Sequence, residues 1–163
     1  MVLRSNSEQP VTVLAAQLLA RGLWLATAES CTGGLLAAAC TAIPGSSRWF
    51  ERGFVTYSNA AKQQMLAVPA ATIDRYGAVS RETVLAMASG ALTRSDADIA
   101  ISVSGIAGPE GGTENKPVGT VWFGLAAKGQ RAEACMQQFT GDRALVREQA
   151  VQFALQWLLD GLH

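Results

Sequence analysis

Histidine is almost absent from this chain of 163 residues. Its single histidine, His163, is the last residue. Chain ends usually fray, so a Ser-His-Asp or Cys-His arrangement has no well-held base here. A zinc site needs several His or Cys ligands at short spacing, and the sequence has no such group. We therefore expect chemistry that uses neither a histidine base nor a metal, and we predict no cofactor.

Lysine is scarce as well. The chain has only Lys62, Lys116 and Lys128, and its other ten basic residues are arginines, which stay protonated and do not serve as ordinary bases. If a nitrogen base activates a hydroxyl group in this protein, that base is one of three lysines. Lys116 and Lys128 fall in a predicted loop and a predicted hairpin turn, so Lys62 is the better placed candidate.

Cysteine pairs, an excess of one charge and long apolar runs are also lacking. The cysteines at positions 31, 40 and 135 form no close pair, and the first residues do not resemble a secretion signal. These features predict reduced thiols in a cytoplasmic protein.

The 13 basic and 13 acidic residues balance, which disfavours a nucleic-acid partner. No apolar run approaches the roughly 20 residues that span a bilayer, so we expect no membrane partner.

The residues that are present predict one globular domain, residues 1–163, since 49% are apolar and 16% are charged. Hydrophobic spacing predicts an α/β fold with a mixed sheet and helices on both of its faces. The predicted helices cover 8–21, 32–42, 59–67, 69–76, 80–93 and 141–159, and the predicted strands cover 23–28, 53–57, 98–104, 120–127 and 132–139. The segment 105–119 is predicted to be a long loop rich in Gly and Pro, and long loops are often functional.

The stretch TAESCTGG, residues 27–34, lies where a predicted strand ends and a helix begins. Ligands of α/β sheets bind at the carboxyl ends of strands, and helix N-termini favour anions. Ser30, Cys31 and Thr32 are candidate nucleophiles here, with backbone N–H groups nearby to hold an oxyanion. Alternatively, Ser30 or Thr32 is a plain helix cap, and Gly33 and Gly34 only allow close packing. Cysteine is commonly a small buried hydrophobe, which weakens the case for Cys31.

The stretch YSNAAK, residues 57–62, offers the base. The predicted cap of this helix is Ser58 or Asn59. If Ser58 is the cap, Lys62 lies near the positive end of the helix, and both the dipole and burial would favour a neutral amine. The alternative is an ordinary solvated lysine. Tyr57 could donate a hydrogen bond or stack on a ligand, or it could simply end a strand.

Two further segments could bind an anion. SGIAGPEGG, residues 104–112, follows a strand, and its glycines, among them Gly105 and Gly108, could form a nest for a phosphate or a plain flexible loop. In GDRALVR, residues 141–147, Arg143 and Arg147 are four residues apart on one helix face. They could clamp a phosphate or pair with nearby acids.

Taken together, these stretches resemble the CinA C-terminal-domain family. The similarity also includes GSSRWFERGFVTYSNAAKQQMLAV, GAVS and KPVGTVWFG, and it covers about residues 9–160 in order. It is greatest to the stand-alone members, which are nicotinamide mononucleotide deamidases. The resemblance implies a three-layer α/β/α sandwich with a mixed, mostly parallel sheet. It also implies a homodimer without the extra N-terminal domain of larger members.

The resemblance further implies a reaction, the hydrolysis of the carboxamide of nicotinamide mononucleotide to nicotinate mononucleotide and ammonia. A serine nucleophile falls on Ser30, a lysine base on Lys62 and a neighbouring tyrosine on Tyr57. The hydroxyl after the third strand falls on Ser104, and the arginine of the last motif falls on Arg143. The elimination of histidine independently leaves lysine as the base for a serine amidase.

We hypothesise that Ser30 attacks the amide carbon while N–H groups from Thr32 to Gly34 hold the oxyanion. Glu29 is interpreted as an orienting or ribose-contacting acid. The substrate phosphate is expected on the loop 105–112 or on Arg143, with Arg147 as the less certain choice. The alternative function is a nucleotide- or partner-binding member of the family without turnover, and the presence of both Ser30 and Lys62 favours the amidase.

Overall fold

The structure, a computed structural model, describes residues 7–162. Its elements are α1 Glu8–Arg21, β1 Leu25–Glu29, α2 Leu35–Thr41, β2 Phe50–Val55, α3 Asn59–Leu66, α4 Ala70–Tyr76, α5 Arg81–Thr93, β3 Ile99–Gly105, β4 Thr120–Ala127, β5 Glu133–Gln138 and α6 Arg143–Gly161. A 3₁₀ turn, Ser46–Arg48, precedes β2. The predicted order of helices and strands is confirmed, and the segment between β3 and β4 is a loop.

The five strands form one sheet in the order β2-β1-β3-β4-β5. β1 pairs in parallel with β2 and with β3, whereas β4 is antiparallel to both β3 and β5. Four strands therefore run in the same direction and β4 runs against them, which confirms the mixed, mostly parallel sheet. Because β1, β2 and β3 are parallel neighbours, the residues that follow them meet at one edge of the sheet.

Each face of the sheet carries its own apolar core. On one face α1, α2 and α6 bury Leu14, Leu36 and Leu155, with β-strand side chains such as Phe123 beneath them. On the other face α3, α4 and α5 bury a second cluster, Leu66, Ile73, Val84 and Met87 among its members. These two cores confirm the three-layer α/β/α sandwich. No helix within residues 7–162 has the length and apolar character that crossing a membrane requires.

Side-chain caps fix where three of the helices begin. Ser58 accepts a hydrogen bond from the Ala61 N–H at 3.0 Å, so the predicted cap of α3 is confirmed. Asp142 caps α6 in the same way, through the Leu145 N–H at 2.9 Å. Ser80, whose pattern is not a true capping box, still caps α5 by accepting from an N–H at 3.2 Å.

The start of α2 differs from the prediction. The helix begins at Leu35 and not at residue 32, because Gly33 and Gly34 have φ angles of 58° and 105°. Such left-handed angles end or precede a helix but do not continue one, and glycine adopts them at little cost. The segment 31–34 is therefore a tight turn that carries the chain from β1 into α2.

A close approach between two helices sets the position of α3. A Cβ atom at Gly90 of α5 would overlap the carbonyl oxygen of Leu66, the last residue of α3. The bare backbone of Gly90 thus lets the two helices pack at van der Waals distance. Because Leu66 is one turn beyond Lys62, this contact also holds the lysine against the sheet.

Candidate active site

Ser30 is the first residue after the central strand β1. Its N–H donates to the Val103 carbonyl of β3 at 2.9 Å, which extends the sheet ladder by one residue. On the other side, the Thr56 N–H donates to the Glu29 carbonyl at 2.8 Å. The ends of β1, β2 and β3 are therefore bonded to one another at the point where the serine side chain leaves the sheet. Ser30 is 8% exposed.

Lys62 lies directly against this serine. Its Nζ atom is 2.9 Å from the Ser30 Oγ, and it donates to the carbonyls of Thr56 at 2.8 Å and Tyr57 at 3.2 Å. The side chain is 1% exposed, so the alternative of a solvated lysine is wrong. Burial lowers the pKa of the Lys62 amine from 10.5 to about 8, against a smaller raising effect of Cys31.

This geometry suits a neutral amine that acts as a base. A neutral amine has two N–H groups and one lone pair. The two backbone carbonyls, of Thr56 and Tyr57, accept the two N–H groups. The lone pair is then left for the third neighbour, the Ser30 hydroxyl. Thr56 contributes through its carbonyl alone, so no pattern of side chains in the sequence could have revealed it.

Cys31 does not compete with Ser30 as a nucleophile. Burial raises the pKa of the Cys31 thiol to about 11, and the nearby Arg147 and backbone N–H groups offset only part of this rise. The thiolate is the reactive form of cysteine, and it is scarce at neutral pH when the pKa is that high. Cys31 is 6% exposed and packs as a small apolar side chain in the core.

Glu29 lies on the far side of the turn, away from the lysine. Its carboxylate has no exposed surface. It accepts hydrogen bonds from the Thr32 hydroxyl at 2.7 Å, the Leu36 N–H at 2.8 Å and the Ala37 N–H at 3.1 Å. Two of these donors are the unpaired N–H groups that begin α2, where a carboxylate is stabilising.

This placement bears on two expected substrate contacts. Both carboxylate oxygens of Glu29 are buried and bonded to the chain, which favours the orienting role over a ribose contact. Thr32 is likewise fully buried, and its hydroxyl donates to Glu29. The Gly33 N–H was one of the expected oxyanion donors. It already donates to the Ser30 carbonyl at 3.0 Å.

One cavity of about 210 Å³ opens beside the Ser30–Lys62 pair. It brings together nine further residues from distant parts of the chain. Its lining is Ser30, Cys31, Tyr57, Asn59, Lys62, Ala78, Val79, Ser104, Gly105, Ala107 and Arg143. Of the predicted substrate contacts, Glu29, Thr32, Gly33, Gly34 and Gly108 lie outside this lining.

Arg143 spans the mouth of the cavity. Its guanidinium donates to the Gly108 carbonyl at 2.8 Å and to the Tyr57 hydroxyl at 3.0 Å. Tyr57 is 60% exposed, so its ring lies at the surface beside the opening. The hydrogen bond to the Gly108 carbonyl fixes Arg143 relative to the loop between β3 and β4.

Arg147, one turn further along α6, points elsewhere. Its guanidinium donates to the Cys31 carbonyl at 3.0 Å and to the Thr32 carbonyl at 3.3 Å. The alternative that these arginines pair with acids is not observed, because the ion pairs within residues 7–162 are Arg52–Glu51 and Lys128–Asp98.

Ser104 and Asn59 complete the polar wall of the cavity. Ser104 is 1% exposed, and its hydroxyl donates to the Ala78 carbonyl at 2.8 Å, which ties β3 to the turn before α5. Asn59 was not predicted to line the cavity, although its position just after the cap Ser58, at the edge of the sheet, indicates such a place. Residues 7–162 hold no group of three His, Cys, Asp or Glu side chains placed to bind a metal.

Comparisons with known proteins agree with this fold and identify the family. A sequence model described as the CinA C-terminal domain matches residues 7–162. A curated protein of Enterobacter agglomerans named nicotinamide-nucleotide amidohydrolase PncC is 58% identical over 90% of this chain and 89% of its own. A protein of the same name from Escherichia coli strain K12 is 56% identical over 86% of each chain.

The solved structures agree as well. A crystal structure of a competence-damaged protein (CinA) superfamily protein from Klebsiella pneumoniae has a TM-score of 0.93 and 46% identity over 97% of this chain and 98% of its own. The competence/damage inducible protein CihA of Agrobacterium tumefaciens has a TM-score of 0.93 and 44% identity, covering 96% of this chain and 95% of its own.

The burial of Glu29 generates a prediction about stability. We expect Glu29→Gln to lower the free energy of unfolding by about 1–3 kcal/mol, because an amide NH₂ would face a backbone N–H donor that now has an acceptor. Urea denaturation of the variant measures the change, with Glu114→Gln in the exposed loop as a matched control that should stay within about 0.5 kcal/mol. Equal stability of the two variants would contradict the assigned role of Glu29.

Proposed function

Because the chain belongs to the CinA C-terminal-domain family, we propose that it is an amidohydrolase acting on nicotinamide mononucleotide. The reaction takes the substrate carboxamide and water to nicotinate mononucleotide and ammonia. The observation that carries this proposal is the buried Lys62 Nζ, 2.9 Å from the Ser30 Oγ at the wall of a cavity. The curated relatives at 56–58% identity, which are named nicotinamide-nucleotide amidohydrolases, support the choice of substrate.

In the first step, neutral Lys62 accepts the proton of the Ser30 hydroxyl as the serine oxygen bonds to the carboxamide carbon. The carbonyl oxygen becomes an oxyanion. The N–H of Cys31, the one residue of the turn 31–34 on the cavity lining, is the proposed donor to this oxyanion. The protonated amine keeps its hydrogen bonds to the two backbone carbonyls, so it stays in place while it holds the proton.

In the second step, the carbon–nitrogen bond breaks. The nitrogen leaves as ammonia after it takes the proton held by Lys62, either directly or through the Tyr57 hydroxyl, which then regains a proton from Lys62. The product that remains on the enzyme is an ester between Ser30 and the nicotinoyl group. Water, deprotonated by the again neutral Lys62, then cleaves this ester, releases nicotinate mononucleotide and restores the serine.

We assign the phosphate of the substrate to Arg143. Its guanidinium lies on the cavity lining and can offer paired N–H donors to a phosphate, which Arg binds in a bidentate manner. Arg147, in contrast, is outside the cavity lining. A phosphate nest at Gly105 and Gly108, a homodimer and a cytoplasmic location stay predictions.

The first prediction from this mechanism concerns the nucleophile. We expect Ser30→Ala to lower kcat by about 10³-fold or more, as in enzymes that lose a serine nucleophile. Ammonia release from nicotinamide mononucleotide measures the effect, and Ser89→Ala, an exposed serine on α5, is the matched control. Full activity of Ser30→Ala would exclude Ser30 as the nucleophile, and an inactive wild type would favour a binding member without turnover.

The second prediction concerns pH. A lysine with a pKa of about 8 is protonated below that pH and then has no lone pair for the serine proton. We expect kcat/KM to fall about tenfold per pH unit below pH 8 and to level off above it. Lys62→Met should be inactive at every pH tested. A flat wild-type profile between about pH 6 and 9, or unaltered turnover by Lys62→Met, would sink the assignment of the base.

The third prediction separates phosphate binding from chemistry. We expect Arg143→Gln to raise the KM for nicotinamide mononucleotide by about 10–100-fold, the loss of a charged hydrogen bond. Nicotinamide riboside, which lacks the phosphate, is the control substrate, and the substitution should change its kcat/KM far less. An equal loss with both substrates would show that Arg143 does not recognise the phosphate.

A further inference from the structure

Arg147 connects the last helix to the turn that follows the proposed nucleophile. It is half-buried on α6, and its guanidinium lies along the turn, with hydrogen bonds to two successive carbonyls, those of Cys31 and Thr32. Its Nη2 atom would be 3.5 Å from a Cβ placed on Gly33, so it packs against that residue as well. The contact joins segments 115 and 116 residues apart in sequence.

The charge of Arg147 has no carboxylate partner within 4 Å, since the ion pairs of residues 7–162 involve other residues. A partly buried charge without a paired acid costs free energy, which the hydrogen bonds to the two carbonyls offset in part. The arrangement places a full positive charge next to the backbone of the nucleophile turn.

Hydrogen bonds to these carbonyls act on the N–H groups of the same peptide units. The carbonyl of Cys31 shares a planar peptide with the N–H of Thr32, and the carbonyl of Thr32 shares one with the N–H of Gly33. Arg147 therefore fixes the orientation of both N–H groups. It also polarises both peptides, because a cation at the carbonyl oxygen makes the N–H of that unit a stronger donor.

The two N–H groups matter to the reaction in different ways. The Gly33 N–H donates to the Ser30 carbonyl at 3.0 Å and so holds the backbone of the nucleophile. The Thr32 N–H belongs to the peptide that follows Cys31, the residue on the cavity lining whose own N–H is the proposed donor to the oxyanion. Glu29 supports the same turn from the other side through the Thr32 hydroxyl. Both sides of the turn are thus held by buried or half-buried charged groups.

We propose that Arg147 is a positioning residue of the amidase, which orients and polarises the turn after Ser30 and does not bind the substrate phosphate. This inference rests on the proposed function, because it assigns Arg147 to the chemical step of that reaction. It gives the two arginines of α6 different tasks, with substrate binding at Arg143 and support of the nucleophile turn at Arg147.

The test compares Arg147→Gln with Arg143→Gln in the wild-type background. The two substitutions remove the same charge from the same helix, one turn apart. For Arg147→Gln we expect kcat to fall by about 10–100-fold, the range for the loss of oriented oxyanion donors, with KM within about threefold of the wild type. For Arg143→Gln we expect the opposite pattern, with most of the loss in KM.

Two further measurements separate positioning from general damage to the fold. Arg147→Lys keeps the charge but offers a single point donor, so its kcat should lie between those of the wild type and Arg147→Gln. The pH at which kcat/KM levels off should stay near that of the wild type in each folded Arg147 variant, since Lys62 is untouched. If Arg147→Gln does not fold, as judged by urea denaturation, Arg147→Lys carries the comparison of kcat and KM.

Each outcome decides one of the two claims. A wild type that releases no ammonia overturns the proposed function, and the positioning role falls with it. An active wild type with an unchanged kcat in the folded Arg147 variants overturns the positioning role alone. A large rise of KM for nicotinamide mononucleotide but not for nicotinamide riboside in Arg147→Gln would assign the phosphate to Arg147 and also overturn the inference.

Discussion

The withdrawal of one amine from water determines most of what this site can do. Lys62 is 1% exposed, and burial brings the pKa of its amine down to about 8. In water the same amine would be almost wholly protonated at neutral pH and could not accept a proton. The fold enforces the burial through the cap Ser58, which starts α3 beside the sheet edge, and through Gly90, which lets α5 pack closely on α3. These contacts hold the Lys62 amine, the proposed base, beside the Ser30 hydroxyl.

Ser30, the proposed nucleophile, precedes a turn in which two glycines have left-handed φ angles. Gly33 and Gly34 make the turn possible but supply no side chains to hold it. Charged groups from outside the turn provide the support, with the Glu29 carboxylate on the N–H groups of α2 and the Arg147 guanidinium on two carbonyls. A buried negative charge and a half-buried positive charge thus stabilise one short segment without pairing with each other.

The fold was largely predictable because its signals are local. Hydrophobic spacing predicted the helices and strands in their observed order, and the cap Ser58 was a candidate in the sequence. The pairing of Ser30 with Lys62 was accessible through the scarcity of histidine and lysine together with the family resemblance. The roles of Glu29 and Thr32 were not, because which oxygen meets which N–H depends on the turn geometry. The contact of Arg147 with Cys31 spans 116 residues, and no local pattern contains it.

The two arginines of α6 also have a mechanical consequence. Arg143 holds Gly108 and Tyr57 at the cavity mouth, and Arg147 grips the backbone beside Ser30, so a single rigid helix touches both ends of the site. A force on the first guanidinium would be transmitted to the second over one helical turn, about 5.4 Å along the axis. If the substrate phosphate draws Arg143 toward itself, α6 would move with it, and Arg147 would shift the turn beside Ser30. Binding energy from the phosphate, which does not react, would then help to align Ser30 with the carboxamide bond that breaks.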